Sequence, residues 1–294
     1  MTTIRVKHGS EEWLALRRRY VCSSDVAVIL GCGFEKPTLA ELVAEKAGLA
    51  ERPQIDSRRF RVAHAAEVIM RKEAELDLGM KLDATKDRVF VDEKLGLLAS
   101  LDGRAPVKKR RLIVEFKTVR SLDYRDEWDG STVPQRTVAQ AHVAMRCAKA
   151  EECLVVAWVD WEPKPPVALS FNAEFFEHMM VEVRRFQKWV LAARVDPGFV
   201  KSIPLTGADC EWLSRMYPPK EIPVAERDDD PELHLTASEW NMARQVRLAD
   251  EKEEKALQAK LRALLGDRAL VRCNELLIKR HKSNALAVET VKEG

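Results

Sequence analysis

One apolar segment near the middle of the chain carries two opposite charges on the same side of a predicted strand. In RLIVEFKTV, residues 111–119, alternation places Glu115 and Lys117 on one face and Val114 and Phe116 on the other. Charged groups inside an apolar strand are costly to bury unless they pair with each other or bind a metal. The chain is therefore expected to fold around a sheet that carries a paired or metal-binding site on one face.

An aspartate closes the preceding predicted strand, LGLLASLD. Asp102 and Gly103 end that strand, and the basic run KKRR marks a hairpin before the next one, so Asp102 is expected at the same end of the sheet as Glu115. Two carboxylates at one point offer the hard oxygen ligands that Mg²⁺ prefers, and an adjacent lysine can orient a water or offset phosphate charge. The alternative is a surface ion pair on an edge strand. The same acid-x-Lys spacing also occurs at Asp92/Lys94, Glu162/Lys164, Asp250/Lys252 and Glu253/Lys255.

A third carboxylate lies on a predicted helix from Phe60 to about Leu78. Its apolar stripe contains Ala63, Met70 and Ala74, with Glu67 at the centre. Because a carboxylate is seldom buried without a partner, we expect Glu67 to be buried and to serve a site. The alternative is a helix rotated slightly, with Glu67 at the boundary of the face.

The charge balance restricts the class of protein. The 294 residues carry 49 Lys and Arg against 47 Asp and Glu, a net charge of +2, which argues against a wholly basic nucleic-acid binder. A local basic groove is still possible, because the field in a cleft depends on where the charges lie. Short basic clusters could follow a phosphate backbone: residues 17–19, 58–61, 108–111 and 184–185.

The sequence predicts a cytoplasmic protein. It has no apolar run of the roughly 20 residues that span a bilayer, and residues 1–10 lack the apolar core of a signal peptide. The six cysteines form no C-x-x-C pair, which is typical of reduced thiols rather than zinc ribbons or redox pairs. Cys22, beside Ser23 and Ser24, is either a nucleophile or, more commonly for this residue type, a small core residue.

The order of predicted elements indicates an α/β fold, in which a central mixed sheet is flanked by helices. Ser10 and Thr38 cap helices near the N-terminus, and the segments VFV, LGLLASLD and RLIVEFKTV read as a three-stranded meander. A helix from Pro134, two further strands and a helix over 174–194 follow. We expect a domain over residues 1–199, a proline-rich linker over 200–237, and an appendage over 238–294 made of a helix and a hairpin.

Five motifs follow one another along the chain: Trp13-x-x-x-Arg17 with Ser24-Asp25, Glu67, Asp102-Gly103, Glu115-Phe116-Lys117, and Gln140 in AQAHVAM. In this order they resemble the YqaJ-like viral recombinase nucleases, the family that includes phage lambda exonuclease, within the PD-(D/E)xK superfamily. The resemblance covers about residues 10–195 and consists of five motifs. They depart from the family pattern at three places: Leu101 replaces a proline, His142 replaces a second glutamine, and Ala63 replaces a frequent glycine.

The resemblance implies a restriction-endonuclease-like core and a metal-dependent site. Asp102 and Glu115 would bind Mg²⁺, for which Mn²⁺ would substitute, and Glu67 would ligate it directly or through water. Lys117 would position and help activate the attacking water, and Gln140 would hydrogen-bond near the scissile phosphate or Lys117.

Two further residues would recognise the substrate. Arg17 and Ser24 would hold the phosphate at a DNA 5′ end, a task that suits a guanidinium fork and a hydroxyl donor. Trp128, in a loop after the catalytic strand, either stacks at a duplex end or packs back on its own domain.

The implied activity is a Mg²⁺-dependent 5′-to-3′ exonuclease on double-stranded DNA that leaves 3′ single strands for phage-type homologous recombination. It would act as a ring-shaped homotrimer in a bacterial or phage-infected cytoplasm and pass its product to a single-strand annealing protein. One alternative keeps the fold but makes the protein an endonuclease or a single-strand nuclease. Another makes it a non-catalytic DNA-end-binding or assembly protein.

Overall fold

The computed structural model describes most of the chain and divides it into two compact units, Met1–Pro219 and Lys220–Gly294. Each unit is described by itself. The residues described are 2–34, 37–51, 58–83, 85, 87–106, 111–121, 124, 128, 133–209, 213, 231–265, 270–273, 276–280 and 286–290.

The first unit begins with short elements whose ends are fixed by capping residues. The Ser10 hydroxyl accepts from the backbone N–H of Trp13, and Thr38 and Glu41 form a reciprocal capping box. Gly48 ends the second capped helix with φ 82°, a left-handed conformation that favours glycine. Both predicted caps are confirmed. The elements are β1 Thr2–Arg5, α1 Glu11–Arg19, β2 Val21–Cys22, a 3-10 turn Ser23–Asp25, α2 Val26–Ile29 and α3 Leu39–Ala47.

The strands of this unit form two sheets rather than one continuous meander. The first sheet has the order β1-β3-β4-β2, with β3 at Arg88–Asp92 and β4 at Leu97–Ser100. The second contains β5 Gly103–Arg104, β6 Leu112–Val119, β7 Glu152–Val159, β8 Glu162–Pro163 and β9 Val167–Ser170.

The predicted pairing of the second and third meander strands is wrong. Strand β4 pairs with β3, whereas β6 pairs antiparallel with β5 and parallel with β7 over its whole length. The chain leaves one sheet and enters the other at Leu101–Gly103. The hydrophobic pattern predicts that each segment is a strand, but it does not determine which strands pair when both faces are buried.

Two helices cover opposite faces of the second sheet. Helix α4, Arg58–Asp77, packs Ala66, Met70 and Ala74 against Val114 and Phe116. Helix α5, Gln135–Ala148, connects β6 to β7 and covers the other face, and α6, Ala173–Val195, adds Phe176, Met180 and Phe186 to the same core. Because a helix joins β6 to β7, the two strands can be parallel neighbours.

The segment after α6 belongs to the first unit rather than to an open linker. A 3-10 helix spans Pro197–Ser202, and the side chains of Val200 and Ile203 are buried. The Asp209 carboxylate accepts hydrogen bonds from the Thr38 hydroxyl and from the backbone N–H of Thr206, the latter at 2.7 Å. The prolines interrupt the hydrophobic periodicity of the sequence here, but the side chains of Val200 and Ile203 still pack in the core of the first unit.

The second unit contains helix α7, Pro231–Leu265, and a three-stranded antiparallel sheet. The helix begins before the predicted start at Ser238, and its first residue is a proline, which fits a first helical turn because no N–H is needed there. The predicted terminal hairpin is present as β10 Leu270–Cys273 and β11 Leu276–Arg280. Strand β12, Leu286–Thr290, extends it and was not predicted. Among the helices described, none is long and apolar enough to cross a lipid bilayer.

Candidate active site

The charged pair on β6 converges with a polar side chain of α5. The Lys117 ammonium lies 2.7 Å from Glu115 Oε1 and donates to Gln140 Oε1 at 3.1 Å, and Gln140 Nε2 donates to the same Glu115 oxygen. Glu115 is 3% exposed. The predicted division of faces is confirmed, because Val114 and Phe116 pack on the α4 side. The alternative of a surface ion pair is therefore wrong.

Asp102 lies at the crossing between the two sheets and turns its carboxylate toward β6. Its Oδ2 accepts from the backbone N–H of Phe116 at 2.9 Å. Gly103 makes this approach possible: a Cβ there would lie 2.9 Å from Leu82 Cδ1 and 3.3 Å from Val114 Cβ. The Asp-Gly pair thus places a carboxylate beside the charged face of β6, where a larger second residue would require the side chains of Leu82 and Val114 to shift.

The electrostatics of this group are those of two carboxylates that share one site. Burial and the neighbouring Glu115 raise the pKa of Asp102 well above its usual range, against the opposing effect of Lys117. Burial alone would lower the pKa of Lys117, but Glu115 and Asp102 more than offset it and raise that pKa. Lys117 is therefore a cation at neutral pH, while the two carboxylates repel each other.

These properties fit a divalent cation held by Asp102 and Glu115. Both side chains offer hard oxygen atoms, and Asp102 Oδ1 and Glu115 Oε2 accept no hydrogen bond from the residues described. A bound cation would remove the repulsion that raises the Asp102 pKa. In the described part of the chain, however, no three His, Cys, Asp or Glu side chains are gathered closely enough to hold a metal.

Glu67 is not buried, which corrects the expectation from its helix. Its side chain is 37% exposed and lies 3.4 Å from His64 Nδ1. The face that packs on the sheet is centred on Ala66, Met70 and Ala74, so Glu67 stands at its boundary. It remains close enough to Asp102 for its charge to contribute to the raised Asp102 pKa.

The predicted phosphate-binding residues are neighbours. Arg17 Nη2 lies 3.4 Å from the Ser24 hydroxyl oxygen, and the guanidinium lies over the Trp13 ring at 4.7 Å. Behind them, the buried Lys46 ammonium contacts Asp25 Oδ2 at 2.5 Å and donates to the carbonyl oxygens of Arg17 and Tyr20.

Lys46 was not predicted from the sequence, although a signal was present. Residue 40 and residues 42–46 of α3 are buried, and a lysine within such a run needs a partner. Burial alone would raise the pKa of Asp25, but Lys46 and Arg17 hold it below its usual range. The resulting ion pair joins α3 to the turn that carries Ser24.

Three other predicted features have structural roles. Trp128 is 7% exposed, belongs to the core and stacks on Tyr124, so the duplex-end stacking role is wrong and the packing alternative holds. Burial raises the pKa of Cys22 to about 11, which removes it as a nucleophile. His142 Nε2 accepts from the backbone N–H of Asn172 at 3.2 Å, and its Nδ1 therefore donates to the Val138 carbonyl at 2.8 Å.

The basic clusters differ in what their side chains contact. Arg184 and Arg185 pair with Glu177 and Glu182, and Arg111 pairs with Glu151 at 2.7 Å. The remaining residues of the run 108–111 lie outside the described residues. Arg17 is the member of these clusters that lies in the candidate site.

Comparisons with known proteins agree with this architecture. Residues 12–151 match the sequence model of a family described as the YqaJ-like viral recombinase domain. The uncharacterized protein YqaJ of Bacillus subtilis strain 168 is 28% identical over 130 residues, which are 44% of this chain. The match spans only 40% of that relative's length.

Two solved structures share the fold. An alkaline exonuclease, LHK-Exo from Laribacter hongkongensis, superposes with a TM-score of 0.52 and 16% identity, over 70% of this chain and 97% of that one. The same exonuclease in complex with dAMP gives a TM-score of 0.52 and 18% identity over the same shares. The predicted α/β core, a mixed sheet flanked by helices, is confirmed.

Proposed function

We propose that the protein is a Mg²⁺-dependent exonuclease, and the match of residues 12–151 to the model of the YqaJ-like viral recombinase domain supports this proposal. It digests linear double-stranded DNA from 5′ ends and leaves 3′ single strands for homologous recombination. One observation carries the proposal: the Lys117 ammonium is held between Glu115 on β6 and Gln140 on α5. Beside them, the Asp102 carboxylate accepts from the backbone N–H of Phe116.

The chain's own residues would place the reacting groups. Asp102 and Glu115 would hold Mg²⁺, which when bound stabilises the negative charge that develops on a phosphate and lowers the pKa of a bound water. Lys117, fixed by its two acceptors and kept protonated, donates a hydrogen bond that positions the attacking water. Gln140 keeps both Lys117 and Glu115 in place, because its amide accepts from one and donates to the other. Glu67 would act through a water.

The proposed DNA-end contact lies at Arg17 and Ser24. A guanidinium and a hydroxyl that already touch offer several donors to a terminal phosphate without having to be brought together. Lys46 donates to the carbonyl groups of Arg17 and Tyr20, and Asp25 accepts from the backbone N–H of Cys22, so the two side chains hold the backbone that joins Arg17 to Ser24. A terminal phosphate held here would set the distance of the first phosphodiester from Lys117.

The decisive experiment is a digestion time course in Mg²⁺ with linear duplex labelled at either the 5′ or the 3′ end. We expect the 5′ label to be released first and the 3′ label to be retained in a long single strand. Covalently closed duplex should resist. Cleavage of the closed circle would instead support an endonuclease, and DNA-end binding without hydrolysis would support the non-catalytic alternative.

By the same resemblance, we propose a homo-oligomer, with a ring-shaped trimer as the expected state, and a single-strand annealing protein as the partner that receives the product. A location in the cytoplasm follows from the proposed substrate. Light scattering of the full chain, with and without DNA, tests the oligomer: a monomeric mass under both conditions would contradict it.

A further inference from the structure

An arginine outside the family motifs joins the segments that carry two of the proposed metal ligands. Arg71 lies on α4 one turn after Glu67. Its guanidinium contacts two backbone segments: residues 82–83, which precede β3, and Asp102, which precedes β5. Its Nη2 donates to the carbonyl oxygens of Leu82 at 2.8 Å and Asp83 at 2.6 Å, and its Nη1 donates to that of Asp102 at 3.4 Å.

The surrounding contacts make this a fixed clamp rather than a mobile surface side chain. Glu75, on the next turn of α4, lies 3.5 Å from Arg71 Nε and accepts from the backbone N–H of Leu82 at 3.0 Å. The Asp102 carbonyl accepts a second hydrogen bond from the buried Thr85 hydroxyl at 3.3 Å. Asp102 is thus held through its carbonyl by Arg71 and Thr85, and through its carboxylate by Phe116.

The residue type matters for this task. A guanidinium presents five donors in a rigid plane, so one side chain can satisfy carbonyl groups of three residues at once. A lysine carries the same charge on a single ammonium nitrogen, so it does not reproduce the planar set of donors that reaches these carbonyl groups. Leu82 and Asp83 lie between α4 and β3, where Asp83 forms an isolated bridge with Arg104 through its own N–H. Their carbonyl groups accept from Arg71.

We propose that Arg71 is a positioning residue: it fixes α4, which carries Glu67, against the crossing that carries Asp102, and so sets the affinity of the site for its divalent cation. This inference rests on the proposed function. Groups that hold metal-ligating side chains in place without touching the metal change affinity when they are lost, by about 10- to 100-fold in characterised sites.

The test compares the full-length protein with its Arg71→Lys and Thr85→Val variants. The probe is Mn²⁺ alone: melting temperature is measured against Mn²⁺ concentration without DNA, and half-saturating Mn²⁺ is then measured for digestion of linear duplex. Each titration gives a midpoint, the Mn²⁺ concentration that produces half of the rise in melting temperature or half of the maximal digestion rate. For Arg71→Lys we expect both midpoints to rise about 10-fold, with activity recovered at high Mn²⁺. Thr85→Val, which removes only one donor to Asp102, should shift both midpoints in the same direction by less.

Arg185→Lys is the matched control, because Arg185 pairs with a glutamate on α6 and touches no backbone carbonyl of the site. Its midpoints should equal those of the unmodified protein. Unchanged midpoints in both Arg71→Lys and Thr85→Val, with active unmodified protein, overturn the positioning role. An unmodified protein that digests no DNA overturns the proposed function instead. If Arg71→Lys does not fold, the Thr85→Val midpoints decide.

Discussion

Lys117 is held by acceptors on two different elements, and we expect its loss to be far more damaging than the loss of a similar surface pair. Lys117→Ala should lower the rate of linear-duplex digestion about 1,000-fold at saturating Mg²⁺, since it removes the donor proposed to position the attacking water. Initial rates on end-labelled duplex measure this.

Lys164→Ala supplies the matched control for that prediction. Lys164 has the same spacing from an acid and contacts Glu162 at 2.6 Å, but it lies outside the candidate site. It should digest DNA at the unmodified rate. Equal rates for the two variants would contradict a role for Lys117 in catalysis.

Asp102 makes stability depend on pH in the absence of metal. Burial and Glu115 raise its pKa, so the folded protein binds a proton there more tightly than the unfolded chain does. The stability from this group is therefore full below the ordinary aspartate pKa of about 3.9 and is lost as pH rises through the raised value. Asp102→Asn, which stays neutral, should melt at a higher temperature than the unmodified protein at pH 8 in EDTA.

The same variant should gain nothing from a divalent cation. Mn²⁺ should raise the melting temperature of the unmodified protein and leave Asp102→Asn unchanged, because one of the two proposed ligands is gone. Asp83→Asn, at an exposed neighbouring position, should behave like the unmodified protein. Calorimetry across pH measures these shifts, and identical melting of Asp102→Asn and unmodified protein at pH 8 would refute the account.

Residue-scale prediction succeeded where local chemistry was sufficient. Alternation alone placed Glu115 and Lys117 together, since a strand has one period and two faces. It failed for Glu67, because a one-residue rotation of α4 moves a side chain by about 100° from the centre of a face to its edge. It also missed Arg71, whose guanidinium binds backbone carbonyls that no sequence pattern encodes. It missed Lys46 as well, although the apolar run around that residue was a signal.

At the scale of elements, the buried ion pair of Lys46 and Asp25 connects α3 to the turn that carries Ser24. Lys46→Met should destabilise the protein by about 3–5 kcal/mol, because Asp25 would be left as a buried charge without its main partner. The double variant Lys46→Met with Asp25→Asn should recover part of that loss. Urea unfolding monitored by circular dichroism measures both.

The same ion pair should also affect substrate choice. If it fixes Arg17, then Lys46→Met should reduce the preference for 5′-phosphate over 5′-hydroxyl ends. Lys188→Met, at an exposed position on α6, is the control and should change neither stability nor preference. An unaltered end preference in folded Lys46→Met would show that Arg17 needs no such support.

The elements themselves were largely predictable, but their partners were not. The caps at Ser10 and Thr38 and the helix from Pro134 follow from short-range chemistry. The pairing of β6 with β7 depends on a helix that returns the chain across the sheet, which is information from distant parts of the sequence. For that reason the meander was a natural but wrong interpretation.

For the whole molecule, the boundary of the first unit has a measurable consequence. A chain ending at Pro219 should unfold within a few degrees of the full-length protein, and one ending at Phe199 should unfold at a clearly lower temperature, since it loses Val200, Ile203 and Asp209 from the packed unit. In the full chain, Asp209→Ala should cost about 2–3 kcal/mol through lost hydrogen bonds to Thr38 and Thr206. Equal stability of the two truncated chains would place the boundary at residue 199.

The crossing of the chain from one sheet to the other, at Leu101–Gly103, has a consequence for the cell that makes this protein. Asp102 belongs to neither sheet alone, and Gln140 lies on a helix that contacts both. A nascent chain on the ribosome therefore contains every proposed catalytic side chain before the two sheets bring those side chains together. We therefore expect the proposed hydrolytic activity to appear only after both sheets have formed.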